Sequence, residues 1–420
     1  MGYITLMALV YFGIVLTEII INYKKNFINP TVIFLCLQTI MFVGLLRDPR
    51  ILSDNGILLI FIYLTALVFF ILGTKLSELS KYSTGRANND FEYVLNEPTK
   101  SQLKRIVLLI VISIVLSTLF FVLGGGNVFV ESIKDLFGSE NTNYAIQRKG
   151  FFMIPGVGYI YQFRVVILPI LTAFLAFGSK KYQQYGIILF PIMFLFILGT
   201  GQRNAFIFYF TGTLIYMVAL KRHFNIRQNK TIIALMVTLG IASLILLTIS
   251  LGRVGNSENI LIGAIDNLFY RILDVNSRSA ITAFNYIQTQ PTVWGYDWLM
   301  MLMDILPGKS GYLSVDRIVF YIAYGTYSGT GPPCIWGSAW YNWSWFGVTL
   351  FPFVLGFIYQ HINWLYKKRK KHTRLTELFY IYLSVYLGFW FSGSPMQIIN
   401  NGIITIILMK LIIITRVKWR

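Results

Sequence analysis

The stretch IVLLIVISIVLSTLFFVL, residues 106–123, carries no charged side chain, follows Lys104-Arg105 and runs into Gly124-Gly125-Gly126. As a helix its eighteen residues rise about 27 Å at 1.5 Å each, close to the roughly 30 Å hydrocarbon core that a spanning segment must cross. It reads as a membrane span. Runs of the same kind recur on both sides of it, near 3–22, 30–46, 57–74, 160–178, 184–199, 204–220, 231–250, 343–366, 376–391 and 398–415.

Composition agrees with that reading. Of the 420 residues 56% are hydrophobic and 13% charged, whereas soluble domains carry about 25% charged residues. The expected fold is all-α, a polytopic integral membrane protein with about 11 transmembrane helices. The first apolar run has neither a basic leader nor a small-residue cleavage site, so it is expected to stay as a span.

Charge sets the expected orientation. Lys24-Lys25, the stretch from Lys75 to Arg105, Lys180-Lys181, Lys221 to Lys230, Lys367 to Arg374 and the tail from Lys410 alternate with the remaining connections and hold 24 of the 36 basic residues. Cytoplasmic connections are enriched in Lys and Arg, so those segments are expected inside, the N-terminus outside and the C-terminus in the cytoplasm. Eleven of the 17 acidic residues then fall outside. The formal charge of +19 is explained by this clustering, without nucleic acid as a partner.

Two outer segments exceed a hairpin: 124–159, and 251–342 between the eighth and ninth spans. Long loops in compact proteins are commonly functional. The chain is therefore expected to comprise spans 1–8 over 1–250, a large folded outer loop over 251–342, and spans 9–11 with a cytoplasmic tail over 343–420. The loop carries apolar stretches at helical spacing around Ile260 to Ile287 and Arg317 to Tyr324, and six of the nine tryptophans lie between Trp294 and Trp345. No internal repeat is evident, which disfavours transporters built from repeated halves.

Several chemistries are excluded by residue type. The glycines at 124–126 and at Gly199-Thr200-Gly201 lack the Gly-Lys-Ser/Thr of a phosphate loop. His223, His361 and His372 all sit at cytoplasmic helix ends, and no His/Cys/carboxylate group has metal-ligand spacing. Neither metal nor cofactor is expected.

Arginine on the outer side is the informative feature. Arg203 stands 22 residues from Lys181, about 33 Å of helix; Arg253 lies about 35 Å from Lys230, and Arg164 about 24 Å from Lys180. Charges at such depth cost up to roughly 3 kcal/mol and commonly line a cavity, although a lone arginine can also snorkel to headgroup phosphates. In the long loop Arg271, Asp274 and Arg278 are three and four residues apart, one face of a helix. That face is either a salt-bridged solvent surface or a grip in which two guanidinium forks hold pyrophosphate, with Asp274 orienting them or accepting a sugar hydroxyl's proton. Arg317 beside Asp316 repeats the idea. The aromatics from Trp294 to Trp345 suit an interfacial belt, and a ring face also suits a sugar.

The chain resembles the oligosaccharide repeat-unit polymerases, the Wzy-type O-antigen and capsule polymerases. The likeness covers the layout and is sharpest in Gly199-Thr200-Gly201-Gln202-Arg203-Asn204, and in Ser328-Gly329-Thr330-Gly331-Pro332-Pro333 followed by Trp340-Tyr341-Asn342-Trp343-Ser344-Trp345-Phe346-Gly347-Val348. Where the family often has an acidic residue just before the tyrosine, this chain has Gly337-Ser338-Ala339-Trp340. The resemblance implies transfer of a glycan from undecaprenyl pyrophosphate to another lipid-linked unit in the bacterial cytoplasmic membrane. A chain-length regulator and a flippase of the same pathway are the implied partners, beside membrane lipid. The candidates for substrate binding are then the arginines read above from depth and spacing, Arg164, Arg203, Arg253, Arg271, Arg278 and Arg317, with Tyr341 of the matching block, and Asp274 is the candidate for catalysis. An O-antigen ligase would share the donor chemistry but should carry a histidine in its large loop; a flippase would need a charged path across the midplane.

Overall fold

The computed structural model describes residues 2–25, 28–82, 92–137, 151, 154, 156–201, 204–226, 230–250, 259–303, 311–327, 329–390, 393–394 and 402–414. The structure is 83% helical, so the all-α expectation holds. Among the described residues seven helices are long and apolar enough to cross a membrane: α1 (Gly2–Lys25), α2 (Pro30–Arg47), α3 (Asp54–Tyr82), α4 (Lys100–Leu123), and, further along, Val157–Gly178, Asn204–Phe224 and Cys334–Lys367. Large apolar side chains remain exposed along α3 at Ile57, Phe61, Val68 and Leu72, and along α4 at Val107, Val111, Val115 and Val122. In water these stripes would be costly. Against lipid they are ordinary.

The remaining elements are α5 (Val128–Phe137), α6 (Val157–Gly178), α7 (Gln183–Leu198), α8 (Asn204–Phe224), α9 (Lys230–Ser250), α10 (Ile260–Tyr270), α11 (Asn276–Ile287), α12 (Tyr296–Met303), α13 (Val315–Tyr324), α14 (Cys334–Lys367), α15 (Arg374–Gly388) and α16 (Ile403–Ile414). Two short strands, β1 (Glu92–Val94) and β2 (Lys371–Thr373), pair in parallel. Of the other expected runs, 184–199, 231–250, 376–391 and 398–415 coincide, over their described residues, with the shorter helices α7, α9, α15 and α16. The run expected from 343 begins earlier, at Cys334, because α14 continues through a kink at Trp343 and Ser344 instead of starting there.

The chain divides into two compact units. The first comprises 1–91, 269–370 and 387–398; the second comprises 92–268, 371–386 and 399–420. In the first, α3 and α14 cross at the shortest distance that backbone allows. A Cβ on Gly73 would collide with the carbonyl oxygen of Phe353, and one on Gly356 with that of Phe70. Reciprocal glycines of this kind let membrane helices meet without a strong hydrophobic drive between them. Glu18 pairs with Lys75 at 2.9 Å, and Gln360 donates to Glu78 at 2.6 Å. All four residues lie at ends that the charge pattern assigns to one side.

In the second unit α4, α6, α8 and α16 pack together. Pro169 lacks an N–H and crowds the turn before it. The helix relieves this with a π-turn over Phe163–Ile167, the usual accommodation of an extra residue in a helix. Glu97 pairs with Arg374 at 2.8 Å and accepts from Ser179 Oγ at 2.6 Å, and His223 Nδ1 lies 3.1 Å from Glu377 Oε1. The histidines expected at the basic ends of helices are thus held in contacts there, with the Tyr93 ring stacked on His223.

Candidate functional site

The first unit gathers arginines around the end of α2. Asn29 starts that helix by accepting the Thr31 N–H, with Pro30 at the first position, the favoured N-terminal chemistry. At its far end Asp48 accepts the Arg50 N–H and begins a 3-10 turn, Pro49–Leu52. The Arg50 side chain then closes on Asp48 twice, Nε to Oδ1 at 2.9 Å and Nη2 to Oδ2 at 2.6 Å. Its outer nitrogens reach a different part of the chain, donating to Thr282 Oγ1 at 2.9 Å and to the Arg278 carbonyl at 3.3 Å. Asn55 donates to Asn285 Oδ1 at 3.1 Å one turn further along.

These bonds bind α11 to the α2–α3 connection, two segments 230 residues apart that the charge pattern places on the same side. The approach is close because Gly44 has no side chain: a Cβ there would collide with the Leu273 carbonyl. Ser277, on the same face, donates to the carbonyls of Met41 at 3.0 Å and Leu273 at 2.9 Å.

A π-turn over Arg271–Val275 separates α10 from α11, and it changes the expected single face of Arg271, Asp274 and Arg278. The extra residue in the turn shifts the register between the first two and the third. Asp274 meets Arg47 instead, with Nε 3.5 Å from Oδ1. Arg278 is exposed, lies over the Tyr270 ring at 5.2 Å and donates to its hydroxyl at 3.3 Å. Arg271 is exposed as well. The structure therefore assembles Arg47, Arg50 and Arg278 with Asp48 and Asp274, and Arg271 stands on the same π-turn as Asp274. The sequence reading missed Arg47 and Arg50, which stand at the end of α2 that the charge pattern expects outside, where basic residues are disfavoured.

Electrostatics in this cluster favour an anion. The side-chain hydrogen bonds from Arg50 hold the Asp48 carboxyl below the usual range, helped by the Arg50 N–H and the charges of Arg50 and Arg278 and opposed by burial. Asp48 is thereby committed to Arg50. Arg278 and Arg271 keep exposed guanidinium groups, which recognise phosphate through paired N–H donors.

Tyr341 occupies the other end of α11. From Arg278 to Tyr286 is eight residues, about 12 Å of helix, and Tyr286 packs against a buried cluster of Tyr341, Ala283, Ile287, Val315 and Val319. The block around Tyr341 is pinned from both sides. Val293 and Gly295 donate to the carbonyls of Tyr341 and Asn342 at 3.1 and 3.0 Å. Trp298 donates from its backbone to Asn342 Oδ1 at 3.3 Å and from its indole to Ser338 Oγ at 2.7 Å. Within the block, three residues after Tyr341, Ser344 holds φ 50°, ψ −131°, a backbone state that costs a non-glycine residue on the order of 1–3 kcal/mol. Strain of that size persists only where the surroundings enforce it. It lies in the middle of the Trp-Tyr-Asn-Trp-Ser-Trp block.

The other expected residues are dispersed. Arg203 and Arg253 lie outside the described residues. Arg317 is exposed on α13, one residue after the buried Asp316. Arg164 belongs to the second unit and is 1% exposed. Its Nη1 donates to the Phe196 carbonyl and its Nη2 to Thr200 Oγ1 at 3.4 Å, inside a cage of Phe120, Phe121 and Tyr161 rings at 5.2 to 5.5 Å. A cation on the last carbonyls of α7 complements that helix end. Arg164 thus fastens the Gly199-Thr200 turn, which also accepts Val128 N–H at the Gly199 carbonyl, 2.8 Å away. Compared with protein-family models, with curated proteins and with solved structures, the chain has no match, and its site has to be interpreted from its own geometry.

Proposed function

We propose that this chain polymerises undecaprenyl-pyrophosphate-linked oligosaccharide repeat units on the outer face of a bacterial cytoplasmic membrane, crossing it eleven times with its N-terminus outside. The observation that carries the reading is the group of Arg47, Arg50 and Arg278 at the end of α2, with Arg278 exposed there and Arg271 exposed on the same π-turn as Asp274. Helix α11 connects that group to the strained, tryptophan-rich block at Tyr341. A pyrophosphate at the membrane surface and a sugar beyond it have this polarity.

In the proposed reaction the acceptor's hydroxyl oxygen bonds to the donor's anomeric carbon. The bond from that carbon to pyrophosphate breaks, and its electron pair leaves with undecaprenyl pyrophosphate. The hydroxyl proton passes to a carboxylate, for which Asp274 is the candidate. Negative charge grows on the leaving group, so cations already fixed in place stabilise the transition state more than the ground state. Arg271 and Arg278 supply such donors. Arg47 and Arg50 hold the frame through Asp274, Asp48 and Thr282.

Purified protein supplied only with its undecaprenyl-pyrophosphate-linked repeat unit, in lipid, with chelator and without nucleotide, should produce a ladder of longer lipid-linked glycans. Transfer only after lipid A–core is added identifies a ligase. Movement of the unit across vesicles without lengthening identifies a flippase, and either result sets the polymerase reading aside.

A further inference from the structure

A glutamine in the middle of a membrane span needs a partner for its amide, because hydrocarbon offers none. Gln38 stands midway between Asn29 and Arg47, about 13.5 Å of helix from each end of α2, and is 2% exposed. Neither its Oε1 nor its Nε2 has a hydrogen-bond partner among the described residues. The next residue, Thr39, solves the same problem within the helix: its hydroxyl donates to the Leu35 carbonyl at 2.8 Å. The longer amide of Gln38 does not turn back in this way, and its partner has to come from outside α2.

Gln38 borders a cavity of the first unit with about 10 Å³ open to the centre of a water, together with Tyr11 of α1, Phe34 of α2, Leu67 and Phe70 of α3 and Trp336 of α14. Trp336 comes from the part of α14 before the kink. Close approaches step away from that kink on both sides: Trp340 with Trp345 at 4.8 Å, the Ala339 carbonyl against Gly347, and Trp336 with Phe351 at 6.5 Å. The segment before the kink therefore doubles back along the segment after it and brings Trp336 against Phe34, ring centroids 5.8 Å apart. Backbone that turns inside a bilayer is tolerated where protein surrounds it or where it lines a space that holds water.

We propose that Gln38 binds a single water molecule in this cavity, where α1, α2, α3 and the doubled-back segment of α14 meet. The inference concerns the interior of the first unit and is independent of the reaction proposed above. One water needs roughly 10–15 Å³ of such space and two to four polar partners, so the cavity fits a water and nothing larger. The Gln38 amide offers an acceptor and two N–H donors. The other bordering side chains with polar atoms are Tyr11, whose hydroxyl bonds to Thr39, and Trp336 with its indole N–H. A hydroxyl oxygen with one bond keeps capacity for a second. The rest of the lining is hydrocarbon, so the water is held at its Gln38 side, and it supplies the bond whose loss makes a buried amide costly.

Radiolytic hydroxyl-radical labelling of the intact protein in lipid nanodiscs, read by mass spectrometry, tests this without any substrate. Radicals formed from a water at Gln38 should oxidise the bordering rings of Tyr11, Phe34 and Trp336 in the wild type, although these residues are buried. Phe379, equally buried in the second unit and away from this cavity, should stay unlabelled. In Gln38→Leu, which keeps the bulk and removes the amide, oxidation of the three rings should fall to the level of Phe379, while Trp294, 71% exposed, is labelled as in the wild type. Gln38→Met serves in its place if Gln38→Leu does not fold. Wild-type protein in which all three rings are as unlabelled as Phe379 overturns the proposal, whichever variant folds. Equal oxidation of the rings in wild type and variant overturns it as well, because the radicals would then come from bulk solvent.

Discussion

Replacing Arg50 by Ala tests whether the α2–α3 connection holds the arginine-bearing helix in place. Two charge-assisted bonds to Asp48, one bond to Thr282 and a longer one to the Arg278 carbonyl disappear, and Asp48, whose side chain is 5% exposed, keeps its charge without its cation. Hydrogen bonds to charged groups contribute about 1.5–3 kcal/mol, but Arg50's own side chain is 42% exposed, which screens the pair and reduces it to about 1–2 kcal/mol. With about 1 kcal/mol for Thr282, the loss is roughly 2–3 kcal/mol, a drop of about 6–9 °C in melting temperature for a unit of this size. The sign of the pH dependence follows from Asp48. Its carboxyl is depressed in the folded state, so the pair's contribution is complete above the unfolded value of about 3.9 and is lost as pH falls from there through the lower folded value. Wild type and variant should differ by a constant amount from pH 8 to pH 5 and converge below about pH 4. Thermal unfolding in detergent, followed by the emission of the loop tryptophans, measures this. If Arg50→Ala melts with the wild type at pH 7, the bonds from Arg50 do not hold α11, and the positioning role assigned to Arg50 is wrong.

Gly73→Ala should destabilise by about 1–3 kcal/mol through overpacking at the α3–α14 crossing, whereas Gly13→Ala, with nothing near its added Cβ, should be neutral or slightly stabilising; paired melting curves decide. Single cysteines at Lys25, Lys181, Lys230 and Lys371 should be labelled only from the cytoplasm, and those at Gln147, Asn256 and Ser310 from outside; cytoplasmic labelling at Asn256 would remove the outer site. Arg203→Ala should slow elongation by about 10²–10³, as loss of one fixed donor to a developing anion does, with Arg203→Lys intermediate and expression unchanged. Near-normal chain length in Arg203→Ala would return that residue to lipid snorkelling.

Helices were legible because apolar length alone marks them: a run such as 106–123 has no other way to satisfy its backbone in lipid. What happens within and between helices was not. The register of Arg271, Asp274 and Arg278 was read on an unbroken helix, but one π-turn redirects Asp274 toward Arg47. Nothing in the residue types of 271–275 announces that turn. In α6 a comparable turn precedes Pro169, where the missing N–H gives a visible cause. Arg164 was read by depth alone, and depth cannot distinguish a guanidinium that meets a ligand from one that closes a neighbouring helix end.

The arginines missed by sequence reading explain why the site had to be found in three dimensions. Depth counting favours residues far from any span end, so Arg47 and Arg50, beside the end of α2, look like ordinary flanking charges. Only the bonds from Arg50 to Thr282 and to the Arg278 carbonyl, across about 230 positions, show that a short connection and a long loop form one surface. The same reasoning applies to Asp297 and Asp316. Each is an unremarkable acidic residue near a helix start, where negative charge suits the dipole. Asp297 has no exposed surface and Asp316 is 6% exposed, and burial of that kind cannot be read from a residue's place near a helix start.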